Sequence, residues 1–324
     1  MGKIVKGLKY KIEYLILYFM TLHKILKMNF PIIKQRENTK VNWQYLSKNP
    51  NAIQILEQNI NKIDWNYLSQ NPNAIHILER NLDKVDWYCL SFNPNAIHIL
   101  EKNLNKVSFS LFSVNPNAIH ILEQNIKRVI WQFLSMNPNA IHILERNLDK
   151  IDWNYLSKNP NAMHLLERNL DKVKFHSLSM NPNAIHILEQ NLDKVSWYHL
   201  SMNPNATHIL ERNLDKVNWY NLSMNPNATH ILEKNLDKVI WEWLSRNPNA
   251  THILERNLDK VNWFNLSMNP NALHLIFDYD YDTMKQQLQP FAEELAQYVF
   301  HPVRLMRFCD NYEMEFDEYL EIIG

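Results

Sequence analysis

Ten histidines recur with a period of 22 residues, at His76, His98, His120, His142, His164, His186, His208, His230, His252 and His274, with Gln54 in the first place of the column. Ten imidazoles in register suggest a metal site or a proton relay. One residue per unit, however, sets neighbours about 8–10 Å apart if the units pack as helices, whereas each ligand of a zinc ion lies about 2 Å from the metal. The spacing favours a ladder in which each His bonds Glu, Asn or Ser of its own or an adjoining unit, with surface recognition as the alternative. A Ser column keeps the same period, but Ser and His columns alone do not make a triad. Asp278, Asp280 and Asp282 match the opening of a calcium loop, yet Thr283 stands at the glycine place and Gln289 at the closing glutamate. No P-loop, dinucleotide fingerprint, nucleophile elbow or H-E-x-x-H occurs. The two cysteines, Cys89 and Cys309, are far apart, which argues against a disulfide framework or cysteine zinc site and for a reducing compartment. No catalytic residue, cofactor or metal is expected.

The elements that position these columns follow from the unit W-x-x-L-S-x-N-P-N-A-I-H-I-L-E-x-N-L-D-K-V-x. Its anchor falls at Trp43, Trp65, Trp87, Phe109, Trp131, Trp153, Phe175, Trp197, Trp219, Trp241 and Trp263, with no insertion between them. Such a period marks a solenoid, in which each unit buries its apolar side against its neighbours. In the second unit, Asp64 can cap a short helix carrying Trp65 and Leu68 on one face. Pro72 ends that helix near Gln70, and Asn71 is placed to cap a second helix with Pro72 at its first position. Ala74, Ile75, Ile77, Leu78 and Leu82 then form an apolar arc, opposite His76, Glu79 and Arg80. Glycine is nearly absent, with only Gly2, Gly7 and Gly324, so Asn81 is expected to take the left-handed helix end. The Glu79, Arg80, Asp83, Lys84 pattern reads as a solvated, self-paired face. The expected fold is all-α: an α-solenoid of eleven two-helix repeats with helical caps at both ends. Packed at about 8–10 Å per unit, it would extend on the order of 100 Å.

Charge divides the chain into three parts. Residues 1–42 hold nine Lys/Arg against two acids, 43–272 hold 22 against 21, and 273–324 hold three against eleven. Expected domains are a basic capping helix and linker over 1–40, the repeats over 41–272 and an acidic helical cap over 273–324. Phe291, Leu295, Val299, Phe300, Leu305 and Phe308 are expected to seal the last repeat, and Asp278–Asp282 to form an acidic turn. The apolar run from Tyr14 to Leu22 is too short for the ~20 residues of a membrane span, and lacks the cleavage site of a signal peptide. An amphipathic capping helix is the better reading. Met28 offers an alternative start at which the cap could begin.

The positions that differ between units carry the functional expectation. Two residues follow each anchor, and they include Tyr67, Tyr88, Phe133, Tyr155, Tyr198, Tyr220, Trp243 and Phe264. These eight are the candidate partner-binding residues, expected on the face of the first helix opposite the Trp/Leu stripe. Aromatic residues and Met there are common anchors of protein interfaces; the alternative is that they pack against the adjacent unit. The leading expectation is a non-enzymatic scaffold for protein–protein interaction. Near-neutral repeats argue against phosphate binding, leaving the basic N-terminus to meet nucleic acid or anionic membrane. Oppositely charged ends could instead drive head-to-tail self-association.

Units such as WNYLSKNPNAMHLLERNLDKV, together with the tail QYVFHPVRLMRFCDNYEMEFDEYLEII, resemble a repeat-protein family encoded by giant DNA viruses of the mimivirus type. The resemblance covers about residues 41–324. It implies a viral source and a host-cell, cytoplasmic setting, and brings no catalytic residues to carry over.

Overall fold

The structure, a computed structural model, describes residues 32–288 and 301–311. The chain forms two compact units, Glu37–Ile276 and Met1–Arg36 with Phe277–Gly324. The first is an all-α solenoid of paired short helices, such as Trp65–Ser69 with Ile75–Glu79 and Trp153–Leu156 with Met163–Glu167. Helices this short are unstable alone, so the bonds between repeats must hold them.

Each first helix starts where expected. The Asp64 carboxylate accepts from the amides of Asn66 and Tyr67. The second helix starts later than expected, at Ile75 behind Ala74. Asn71 caps no helix: its Oδ1 accepts from the Asn73 amide at 3.0 Å, folding Pro72 into an Asx turn. Ala74 and its equivalents are fully buried, so the turn has room only for a methyl group. Asn81 also corrects the expectation. Among the described residues only Asn38 has positive φ, so no repeat ends left-handed. The Asn81 amide instead donates to the Ile77 carbonyl at 2.9 Å, capping an orphan helix carbonyl with a side chain. This is why the repeats manage without glycine.

A buried polar ladder joins successive repeats. Nδ2 of Asn71 donates to the carbonyls of Ser47 and Asn49 of the preceding repeat at 3.0 and 2.9 Å. Asn73 Nδ2 donates to Pro50 O at 3.0 Å, and the Asp64 amide donates to Ser47 Oγ at 3.0 Å. The same bonds recur from repeat to repeat, alongside fully buried Ala and Leu columns.

The ladder does not stop at the ends. Asn49 of the first repeat donates to the carbonyls of Ser267 and Asn269 of the last, at 3.0 and 3.1 Å. Asn51 Nδ2 reaches Pro270 O at 3.0 Å, and the Asn42 amide reaches Ser267 Oγ at 3.0 Å. Repeat 11 therefore precedes repeat 1 as any repeat precedes the next, and the solenoid unit closes into a ring. The expected rod is corrected: eleven units packed at about 8–10 Å make a circumference rather than a length. The end faces that caps were expected to seal cover each other. Phe291, Leu295, Val299 and Phe300 lie outside the described residues, as do the side chains of Leu305 and Phe308 and the expected N-terminal helix.

In the other unit, β1 (Ile33–Gln35) pairs antiparallel with β2 (Phe277–Tyr279), matching Ile33 to Tyr279 and Gln35 to Phe277. The segment expected as an acidic turn is thus a strand followed by a helix, Tyr281–Leu288, capped by Asp280 through the Thr283 amide at 3.2 Å. A further helix spans Pro302–Asn311. Lys34 pairs with Asp280 at 3.6 Å and Arg36 with Asp278 at 3.5 Å, so basic and acidic flanks meet within one chain.

Candidate interaction surface

The variable pair after each anchor splits in two. Its first member is exposed in every repeat but the fourth, with Tyr88 at 59%, Tyr198 at 51%, Tyr220 at 40% and Phe264 at 54%. Its second member turns toward the neighbouring repeat. Tyr67, Phe133, Tyr155 and Trp243 are half-buried, so four of the eight candidates are in part packing residues. A short helix cannot present two consecutive side chains in one direction.

The two members interlock across junctions. The first residue of one repeat meets the second residue of the next, 23 positions on. Tyr220 meets Trp243 with ring centroids 4.6 Å apart, His176 meets His199 at 4.1 Å, and Ser177 Oγ donates to Asn154 Oδ1 at 2.6 Å. The register carries through the closing junction, where Phe264 meets Tyr45 at 5.0 Å. Second members also meet each other, Tyr45 tilted against Tyr67 at 6.1 Å and Phe133 edge-to-face with Tyr155 at 5.9 Å. Consecutive first helices pack directly together, such as Trp43–Lys48 with Trp65–Ser69, more closely than second helices do. In a closed ring the more closely spaced elements occupy the narrower circumference, so the variable band runs along it.

The His column forms a ladder with Glu of the preceding repeat. His76 Nε2 lies 2.9 Å from Glu57, His98 2.7 Å from Glu79 and His208 2.7 Å from Glu189; His120 and His230 stand farther from their partners, at 3.8 and 3.9 Å. The surface expected to pair with itself is organised otherwise. Glu79 faces His98, and Lys84 lies over its own anchor, Trp65, at 4.9 Å from the ring centroid. Arg128 covers Phe109 in the same way at 3.8 Å. The anchors are therefore mostly half-buried under a cation rather than part of the core.

Leu82, expected in the core arc, is exposed, as are Leu148, Leu170 and Leu258 in the same column. The helix ends at Glu79, so helical spacing does not carry Leu82 inward. Past the helix end the apolar spacing no longer marks a buried face, and the row lies open.

Three groups have shifted acidity. Burial, then the neighbouring His176 and Lys158, lowers the His199 imidazole below its usual 6.5. Burial raises the Cys89 thiol, against the bond it accepts from Gln70, which favours an unreactive thiol. Hydrogen bonds from Thr283 lower Asp280. Among the described residues, no three His, Cys, Asp or Glu side chains converge as metal ligands would, and no helix is long and apolar enough to cross a membrane. No family model, curated protein or solved structure matches the chain.

Proposed function

We propose that the chain is a non-enzymatic ring scaffold that binds another protein along its variable band, in the cytoplasm of a virus-infected host cell. The observation that carries the reading is the exposure of Tyr88, Tyr198, Tyr220 and Phe264 at positions that vary between repeats, on a scaffold whose Ser, Asn, His and anchor columns are spent on its own construction. Ser, both turn Asn residues, His and the anchor each have a partner inside the ring, so they give no reason to look for chemistry. Large exposed aromatic rings bind well because burying each removes much apolar surface at little entropic cost. The setting in an infected cell rests on the resemblance of the repeat and tail to the giant-virus family.

The test is affinity capture from infected cells with the intact chain and with a variant carrying alanine at Tyr88, Tyr198, Tyr220 and Phe264. These rings are exposed, so the variant should keep its helical circular dichroism while losing the captured partner. Retention of every partner by a folded variant would remove this band from consideration.

A further inference from the structure

We propose that the closing junction builds a receptor for a carboxylate, presented by an acidic residue flanked by apolar side chains in a partner's peptide, with Arg246 as the receiving group. The proposal rests on the variable band being the binding face. Arg246 follows the Ser of repeat 10, yet three consecutive repeats hold it. Its Nε donates to Asn265 Oδ1 of repeat 11 at 2.9 Å. Its guanidinium lies over Trp243 of its own repeat at 4.8 Å and over Tyr45 of repeat 1 at 4.7 Å. Tyr45 reaches Arg246 only because the ring is closed.

That arrangement orients the guanidinium and leaves its terminal donors unused. Among the described residues, no carboxylate lies within ion-pair distance of Arg246 and no acceptor meets its Nη groups. Arg128, which also lies over a ring, spends a terminal donor on the Leu104 carbonyl. A planar fork held between two rings, with both Nη groups free, matches a carboxylate bidentately. The apolar flanks come from the same cluster, since Tyr220 packs against Trp243 at 4.6 Å and Phe264 meets Tyr45 edge-to-face at 5.0 Å. Aromatic rings around a half-buried Arg have the composition of an interface hot spot.

Panning a random peptide display library on the intact chain tests the assignment. Enriched sequences should place Asp or Glu beside Leu, Phe or Trp. A synthetic copy should bind Arg246→Gln at least about tenfold weaker, as expected for losing a charge-assisted pair, and bind His142→Ala as it binds the unmodified protein. Arg246→Lys should recover only part of the loss, because it restores the charge without the fork. If binding is lost with the four exposed aromatics but unchanged in Arg246→Gln, the band stands and the receptor is overturned. Tighter binding of a phosphoserine copy would overturn the carboxylate. If no peptide is enriched, or the enriched ones ignore both variants, receptor and band both fall.

Discussion

The junctions between covalently consecutive repeats and the junction that closes the ring share one set of bonds and differ in another. Asn71 holds repeat 2 to repeat 1 as Asn49 holds repeat 1 to repeat 11, each through two buried carbonyls. At the closing junction the surface columns change residue type. Gln54 stands in the His column, Phe277 in the Glu column, and Asp282 where Lys would cover Trp263. In their place Arg246, Tyr45 and Phe264 form a cluster across the junction. The buried ladder therefore sets the geometry, while the exposed pairs can be exchanged without altering it.

The most damaging change to that equivalence is Asn→Asp in the ladder. The substitution replaces a donor by a buried anionic acceptor facing two carbonyls, and should cost about 3 kcal/mol or more. Asn159→Asp at an internal junction and Asn49→Asp at the closing one should lower the urea midpoint alike. A much milder Asn49→Asp would mean that the closing junction contributes less than its geometry indicates. A smaller effect separates the His176–His199 junction from the rest. The folded state holds His199 below its usual 6.5, so it favours the neutral ring. The associated stability is present above about pH 6.5 and is lost as pH falls through the folded-state value. His199→Gln should flatten the stability profile over that interval; an unchanged slope would dismiss His199 as its source. Smallest of all should be the exposed ladder. His142→Ala removes a pair to Glu123 at 2.9 Å and should cost at most about 1 kcal/mol. A larger loss would show that surface pairs do set the geometry.

Much of this was legible in the residue order. The 22-residue period, two helices per unit, the Asp64 cap and the His ladder all follow from local spacing. Asn71, Asn73 and Asn81 were legible as backbone-binding residues, but not their targets. Asn71 and Asn73 reach the preceding repeat, and no local rule specifies a carbonyl 22 to 24 positions away. Leu82 was misplaced because the helix stops at Glu79. Of the candidate binding residues, Tyr88, Tyr198, Tyr220 and Phe264 sit on the open surface as expected. Tyr67, Phe133, Tyr155 and Trp243 do so only in part, because their direction depends on the neighbouring helix.

Identical repeats dictate identical junctions, and that much is contained in the sequence. The rotation at each junction is not. Closing a full turn with eleven repeats requires about 33° per junction, an angle set by how Ala74, Leu68 and the Asn71 bonds fit together in three dimensions. A few degrees more or less would give an open helix from nearly the same pattern. Only the tertiary structure decides that repeat 1 receives repeat 11, and with it the cluster around Arg246, whose members are distant in sequence and meet only where the ring closes.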